Sequence, residues 1–277
     1  MLFPSFDVNV YVFHAATAAS KYCMDQIDRR IQSAVLSSPA ISNISPLRLY
    51  AIANRHGWQD VARVAAYHFC RGSPILPLWK LPMSDELKEL SVGDLHRLHR
   101  YHHDCAEAAK SAVLLRTEGG VYDLHWLGLR PPAWGWWSTT NVTGTCCTST
   151  KIPVWVGGSG SRGRSLRFIH EWVIHYLKDV ADRLEELPCD ETAVNDKAFD
   201  KLIGKASQCS ECKGTIGSDF KIFAELLKKE VDRAITDVRI CFRMFSYSLT
   251  LLRRCVSKLR CNDVSVSICS PMLSLCL

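Results

Sequence analysis

The sequence predicts a mainly α-helical protein, and three observations carry that expectation. Apolar residues recur at three- and four-residue spacings through most of the first 116 positions and again from 166 to 238. Glycine and proline gather in connecting stretches instead of punctuating evenly spaced short strands. With 277 residues, 31.2 kDa and 47% hydrophobic residues, the chain is long enough for one large or two small globular domains with real cores.

Taken in order, Val12, Ala15, Ala16, Ala19 and Cys23 fall at i, i+3, i+4, i+7 and i+11, and Met24, Ile27, Ile31, Ala34 and Val35 nearly repeat the pattern. Two amphipathic helices therefore open the chain. Pro39 and Pro46 bracket a loop, after which Leu47 to Arg55 carries apolar residues on both faces, the mark of a helix buried on two sides. Gly57 supplies a turn, and Trp58, Val61, Ala62, Ala65 and Phe69 form the stripe of a fourth helix, completing an αα-hairpin. Pro74, Pro77 and Pro82 keep residues 72 to 83 extended. Ser91 and Asp94 have capping-box spacing, and Leu95, Leu98, His102, Cys105, Ala109 and Ala112 then mark the longest helix.

The composition changes after Thr117. Residues 119 to 165 combine glycines and prolines with five tryptophans, and read as a loop or a set of irregular turns with isolated strand around Ile152 to Val156. Helicity returns with Ile169, Trp172, Val173, Tyr176, Leu177, Val180 and Leu184, and continues through Phe199, Leu202, Ile203 and Ala206. It ends in the cleanest amphipathic pattern of the chain, Phe220, Phe223, Ala224, Leu227, Val231, Ile235 and Val238. Beyond Val238 the periodicity decays, and no repeat of solenoid length occurs.

Charge narrows the function. Residues 239 to 277 hold Arg239, Arg243, Arg253, Arg254, Lys258 and Arg260 against Asp263 alone, which is +5 of the formal total of +6. The remaining body is close to neutral and lacks the broad basic surface of nucleic-acid-binding proteins. Thirteen cysteines in a chain this long, with no positive region before an apolar N-terminal segment, read as mostly reduced thiols of a cytoplasmic or nuclear protein, several of them small buried hydrophobes. Asn141 opens a glycosylation acceptor pattern that carries no meaning without secretion. The longest apolar stretch, Ile240 to Leu252, is too short for a membrane span and includes Arg243.

The run from Pro46 through Leu47, Arg48, Leu49, Tyr50, Ala51, Ile52 and Ala53 to Ala66, followed by Glu89 to Ser91, Asp94 to Leu98, Tyr101 and His102, resembles BTB/POZ-domain proteins of the kind expanded in mushroom-forming fungi. Residues 8 to 36 look like the last two helices of the BTB fold. Trp134, Trp136, Cys146, Trp172, Cys209, Cys212 and the helix from Phe223 to Val238 extend the similarity. The resemblance implies residues 1–38 as the C-terminal helices of a truncated BTB fold and 46–116 as a helical extension. A Trp/Gly/Pro-rich connector over 117–165 and a second helical group over 166–238 follow, before an atypical basic, cysteine-rich tail over 239–277. It also implies that most of the BTB fold, with its dimerising surface, is absent, which argues against BTB-type homodimerisation. Apolar surface on the helices carrying Val12, Ala16, Ala19, Ile27 and Ile31 would then be left uncovered. The tail matches nothing in the family, and its abrupt composition is that of translated intron or frame-shifted sequence.

Cys209 and Cys212 have metal-ligand spacing, since two thiolates three residues apart at a turn can face one tetrahedral Zn²⁺. They supply half a site, with Cys146, Cys147, Cys189 or His170 as candidates to complete it, and the competing reading is a pair of thiols ahead of a helix. A thioredoxin-like role lacks the βαβ context it needs. His96, His99 and His103 share one helical face beside His102 and Cys105, a metal-binding or pH-responsive arrangement, but surface histidines explain it more simply. The hairpin at Gly57 resembles a helix-turn-helix, yet its second helix offers only Gln59, Arg63 and His68 among apolar residues, so core packing is the better reading. Trp126, Trp134, Trp136, Trp137 and Trp155 form either a binding patch or, the favoured reading, a plug between two helical halves. Gly157 to Gly160 lacks the lysine of a phosphate loop, and no hydrolase or dinucleotide fingerprint is present.

The expected function is protein–protein interaction or scaffolding, non-catalytic, with protein partners and neither nucleic acid nor membrane. An adaptor role in cullin-based ubiquitin ligation is an implication of the wider BTB superfamily. No cofactor is expected beyond a structural zinc at Cys209 and Cys212. The alternative is a small metal- or redox-dependent protein built on that pair and the histidine helix.

Overall fold

The computed structural model of the chain describes residues 8–37, 45–72, 84–116, 120–127, 134, 137–138, 150–157, 165–194, 196–209, 212–214 and 216–240. These residues are mainly helical. Helices α1 (Val8–Lys21) and α2 (Asp25–Ser37) form an N-terminal pair, followed by α3 (Pro46–His56) and α4 (Gln59–Gly72). Pro46 stands in the first turn of α3, where its missing N–H would have had no partner anyway. At the other end Gly57 takes φ +73°, and its N–H and that of Trp58 close on the carbonyls of Asn54 and Ala53. Leu47, Leu49, Tyr50, Ala51, Ile52 and Ala53 are all buried, so α3 is enclosed on both sides as its composition requires.

The short helix α5 (Asp85–Lys88) is tied to α3 by Arg48, whose guanidinium meets Glu86 at 2.7 Å. Helix α6 (Val92–Val113) begins with a complete capping box: the Asp94 N–H donates to Ser91 Oγ at 3.1 Å and the Ser91 N–H to Asp94 Oδ2 at 3.2 Å. The Tyr50 hydroxyl donates to the Asp94 carbonyl at 3.2 Å and fixes α3 against this first turn. Leu98, His102, Cys105, Ala109 and Ala112 are buried along α6.

The stretch after α6 brings in strand, at Lys151–Val156 where isolated strand was expected and at four further places. Five strands, β1 (Leu115–Arg116), β2 (Tyr122–Leu124), β3 (Trp137–Ser138), β4 (Lys151–Val156) and β5 (Ser165–His170), form one sheet in the order β1-β2-β4-β5-β3. The expected loop is thus a sheet, and Ile169, read as the start of a helix, lies on β5 opposite Ile152. Only β2 and β4 are parallel, with Tyr122 opposite Val154 and Leu124 opposite Val156. Pro153 argues against a central strand, but the β2 ladder starts at Val154, so Pro153 has one strand neighbour, β5. Gly157 ends β4 at φ +94° and donates its N–H to the Leu127 carbonyl at 3.0 Å, closing the strand onto the turn after β2.

Helix α7 (Glu171–Glu186) leaves β5 directly, and α8 (Asp190–Ala193), α9 (Asp196–Ala206), a 3-10 turn (Cys212–Gly214) and α10 (Ile216–Thr236) complete the order. Val154, Val156, Leu124 and Ile169 of the sheet join Val173, Leu177 and Val180 of α7 and Phe220, Phe223 and Leu227 of α10 in one buried cluster, which continues through α6 to α3 and α4. Helix α10 lies against α6, α8 and α9, so the C-terminal helices close over the sheet and the central helix together. Of the atypical tail over 239–277, only residues 239 and 240 are among the described residues, and Ile240 is buried.

Candidate interaction surface

The N-terminal helix pair carries a mixed face whose two sides are set by different forces. Ala16 and Ala19 of α1 are buried, and Phe13 packs under the Arg55 guanidinium at 5.2 Å from its ring centre. The chain reverses at Cys23, which adopts φ +55°, while the Met24 N–H reaches back to the Ala19 carbonyl at 2.8 Å. Helix α2 is then held by a polar anchor. Asp28, 8% exposed, accepts the Trp58 indole N–H at 3.1 and 3.2 Å and the Gln32 amide at 3.0 Å. With Asp28 and Val35 buried and Ile31 half-buried against the core, only part of the apolar stripe of α2 is covered, and Ile27 and Leu36 stay outside.

The result is a concentration of exposed apolar side chains: Val10, Tyr11 (57% exposed), Tyr22 (63%), Met24, Ile27 (45%) and Leu36 all lie on α1, α2 or the turn between them. The other large hydrophobics that stand exposed among the described residues, Val92, Leu166 and Ile222, sit singly on separate elements, which is ordinary for a protein surface. Lys21, Asp25, Arg29 and Arg30 are exposed around the N-terminal group and give it a charged rim of mixed sign. Tyrosine and methionine inside a polar rim is the composition of a protein-binding surface. Of the residues expected to be uncovered, Ile27 is exposed, Val12 and Ile31 are half-buried, and Ala16 and Ala19 are fully inside.

The residues singled out for metal chemistry are dispersed. Cys209 is buried at the end of α9, its carbonyl accepting the Lys213 N–H at 3.0 Å, while the side chain of Cys212 falls outside the described residues together with Cys146 and Cys147. His170 is stacked on Trp172 with 9° between the ring planes, and the Cys189 sulfur lies 3.0 Å from the Thr192 hydroxyl. On α6, His96 and His103 are exposed, His99 is half-buried and His102 is buried. Among the described residues, no three histidine, cysteine or carboxylate side chains are grouped to hold a metal ion. Trp134 and Trp126 pack on Phe223 at 5.9 and 5.3 Å between ring centres, a plug, whereas Trp136 lies outside the described residues. In the α3–α4 hairpin Val61, Ala62, Ala65 and Ala66 are core residues, and Arg63 pairs with Asp60 at 3.0 Å. Among the described residues no helix is long and apolar enough to cross a membrane.

Two polar features carry no signal in the sequence. Arg71, at the end of α4, reaches Asp190 and Glu191 of α8 and Asp232 of α10, with the Tyr67 hydroxyl donating to Asp232 at 2.8 Å. Burial opposes the charge on Glu191, but its contacts with Asp190 and Arg71 outweigh it and bring the carboxyl down to about 2. Burial pulls the Arg71 guanidinium the opposite way, and Tyr67, Asp190 and Glu191 more than offset that, holding it charged. This network clamps α4 to α8 and α10 and is a structural tie, satisfied within itself. The second feature is that Cys70 of α4 and Cys105 of α6 are both fully buried, on helices that pack together.

No protein-family model matches the chain, and neither a curated protein nor a solved structure matches it.

Proposed function

We propose that the chain is a non-catalytic protein–protein interaction module that binds through the outward face of α1 and α2. The observation that carries this reading is the exposure of Tyr11, Tyr22, Met24 and Ile27 on a helix pair already anchored from behind by Asp28. An exposed apolar group of this kind favours contact with another protein. The likeness of residues 8 to 36 to the closing helices of a BTB fold supports the same role.

Full-length protein tests it by size-exclusion chromatography with light scattering, binding of a hydrophobic fluorescent dye and elemental analysis on one sample. The wild-type chain should self-associate or bind the dye. Tyr22→Asp with Ile27→Asp should reduce that signal several-fold while changing stability by no more than about 0.5 kcal/mol, as expected of exposed positions. A monomer that ignores the dye, or one that carries one zinc per chain and loses its fold to a chelator, overturns the reading; the latter result favours the metal-dependent alternative at Cys209 and Cys212.

A further inference from the structure

We propose that the occupant of the α1 face is a second copy of this chain, docked so that two α1 helices run antiparallel across a two-fold axis. The inference rests on the reading of α1 and α2 as an interaction surface and names its partner. Among the 14 residues of α1, Lys21 is the only lysine, arginine, aspartate or glutamate. A helix so poor in charge belongs inside a protein. Helix α1 packs on α2 and α3 and buries Ala16 and Ala19, with Val12 half-buried beside them. The next stripe round the helix, Tyr11, Ala15, Ala18 and Tyr22, is exposed along its whole length. Tyr22 stands just past Lys21 but keeps the helical register, its N–H donating to the Ala18 carbonyl at 2.9 Å.

The spacing of that stripe singles out a second copy. Its steps of four, three and four residues are those of a helix–helix seam. They are also symmetric: Tyr11 and Tyr22 lie equally far from the point midway between Ala16 and Thr17, and so do Ala15 and Ala18. Turning the helix end for end about that point lays Ala15 against the partner subunit's Ala18 and Tyr11 against the partner subunit's Tyr22. Every contact is then made twice, as a two-fold interface requires. The central alanines let the helix axes approach to about 8 Å, and the tyrosines close both ends with large, stiff ring surfaces. No charged side chain lies on the seam; His14 and Lys21 are exposed beside it, with the Lys21 ammonium 5.5 Å from the Tyr22 ring centre. The antiparallel arrangement also sets the partly positive N-terminus of one α1 beside the partly negative C-terminus of the other. A partner of unrelated sequence would require no such symmetry in this chain. One exposed helical face supplies far fewer than the roughly 20–30 residues a side of a standard interface, so the dimer is reversible and forms at micromolar concentration.

Sedimentation equilibrium of the full-length chain from about 1 to 100 μM, where so small an interface dissociates, should show monomer and dimer in exchange. Ala15→Lys and Ala18→Glu, each alone, bring an unpaired charge into the seam and should weaken the dimer at least about tenfold, while the far-ultraviolet circular dichroism stays that of the wild type. Combined in one chain, the two substitutions set each introduced lysine opposite an introduced glutamate of the second copy, and dimerisation should recover to within about threefold of wild type. A parallel pair would set like charges together and would not recover. Single variants that dimerise like the wild type, a double variant that stays monomeric, or growth past the dimer into open-ended aggregates each overturn the proposal. Its failure is separable from that of the interaction reading. A chain that stays monomeric throughout yet binds the hydrophobic dye loses the two-fold dimer and keeps a surface for another protein, whereas a monomer that ignores the dye loses both.

Discussion

Helices α2 and α10 both carry apolar periodicity, and the protein covers that of α10 fully and that of α2 only in part. On α10, Phe220, Phe223, Leu227, Val231 and Ile235 are wholly buried, with Phe220 packed at 5.3 Å from the Tyr176 ring and 4.9 Å from Phe223. On α2 Asp28 and Val35 are buried and Ile31 is half-buried against the core, while Ile27 and Leu36 face out. The difference lies in what each helix meets. Helix α10 is packed against α6, α8 and α9 and beneath the tryptophans of the connector, whereas α2 leans on α1 and α4 and is held by one buried carboxylate. A stripe of apolar residues states that a face seeks cover; neighbouring elements decide whether the protein itself supplies it.

The contrast can be broken most directly at α10. Phe220→Ala removes a ring in contact with Trp172, Tyr176, Phe199 and Phe223, and should cost about 3–5 kcal/mol in urea unfolding. A loss near that of an exposed α2 residue would erase the distinction between the two helices.

At the N-terminal pair the expected effect is smaller and polar in origin. Asp28→Ala leaves the Trp58 indole N–H buried without its acceptor and should cost about 1–3 kcal/mol. Trp58→Phe in the Asp28→Ala background should add less than it does in the wild type, since the donor is then removed as well. Additive losses in that double-mutant cycle would show that the carboxylate does not anchor α2 through Trp58.

The smallest effect is a dependence on pH on the C-terminal side. His102, 4% exposed where α6 meets α7, has no hydrogen-bond partner at Nε2. Burial holds its imidazole below the ordinary value, with His99 and His103 pushing the same way and the Glu186 carbonyl opposing. The unfolded chain therefore takes up the proton first. The contribution of neutral His102 is fully present above the unfolded value of about 6.5 and is lost as pH falls toward the lower folded value, at no more than about 1.4 kcal/mol per pH unit. Denaturation of wild type and His102→Leu at pH 7.5, 6.5 and 5.5 isolates this contribution, because His68, which burial and Arg71 lower similarly, is common to both. A difference between the two proteins that stays constant with pH would exclude it.

What could be read in advance varied with how local its cause is. The α3–α4 hairpin was legible because Pro46, Gly57 and the apolar spacing act within a few residues, and the α6 start because Ser91 and Asp94 bond to each other across one turn. The sheet was not, because β1 and β3 are two residues long and β2 pairs in parallel with β4 across the connector, so the ladder that stabilises each strand comes from elsewhere in the chain. Strand β4 was the part that could be read, since Ile152 to Val156 was expected as isolated strand, but its neighbours β2 and β5 were not. At the candidate surface, Ile27 stood out as apolar, but Tyr11 and Tyr22 fell off the expected stripes and gained meaning only from their exposure beside it.

By itself, then, the sequence determined that α3, α4 and α6 form, where α3 and α6 are capped, and which helical faces are apolar, since capping, backbone restriction and periodicity are settled by near neighbours. Tertiary structure decided which apolar faces are covered and how Arg71 joins α4 to α8 and α10. Those outcomes depend on contacts between residues far apart in the chain, and the position of one such residue places no local constraint on the other.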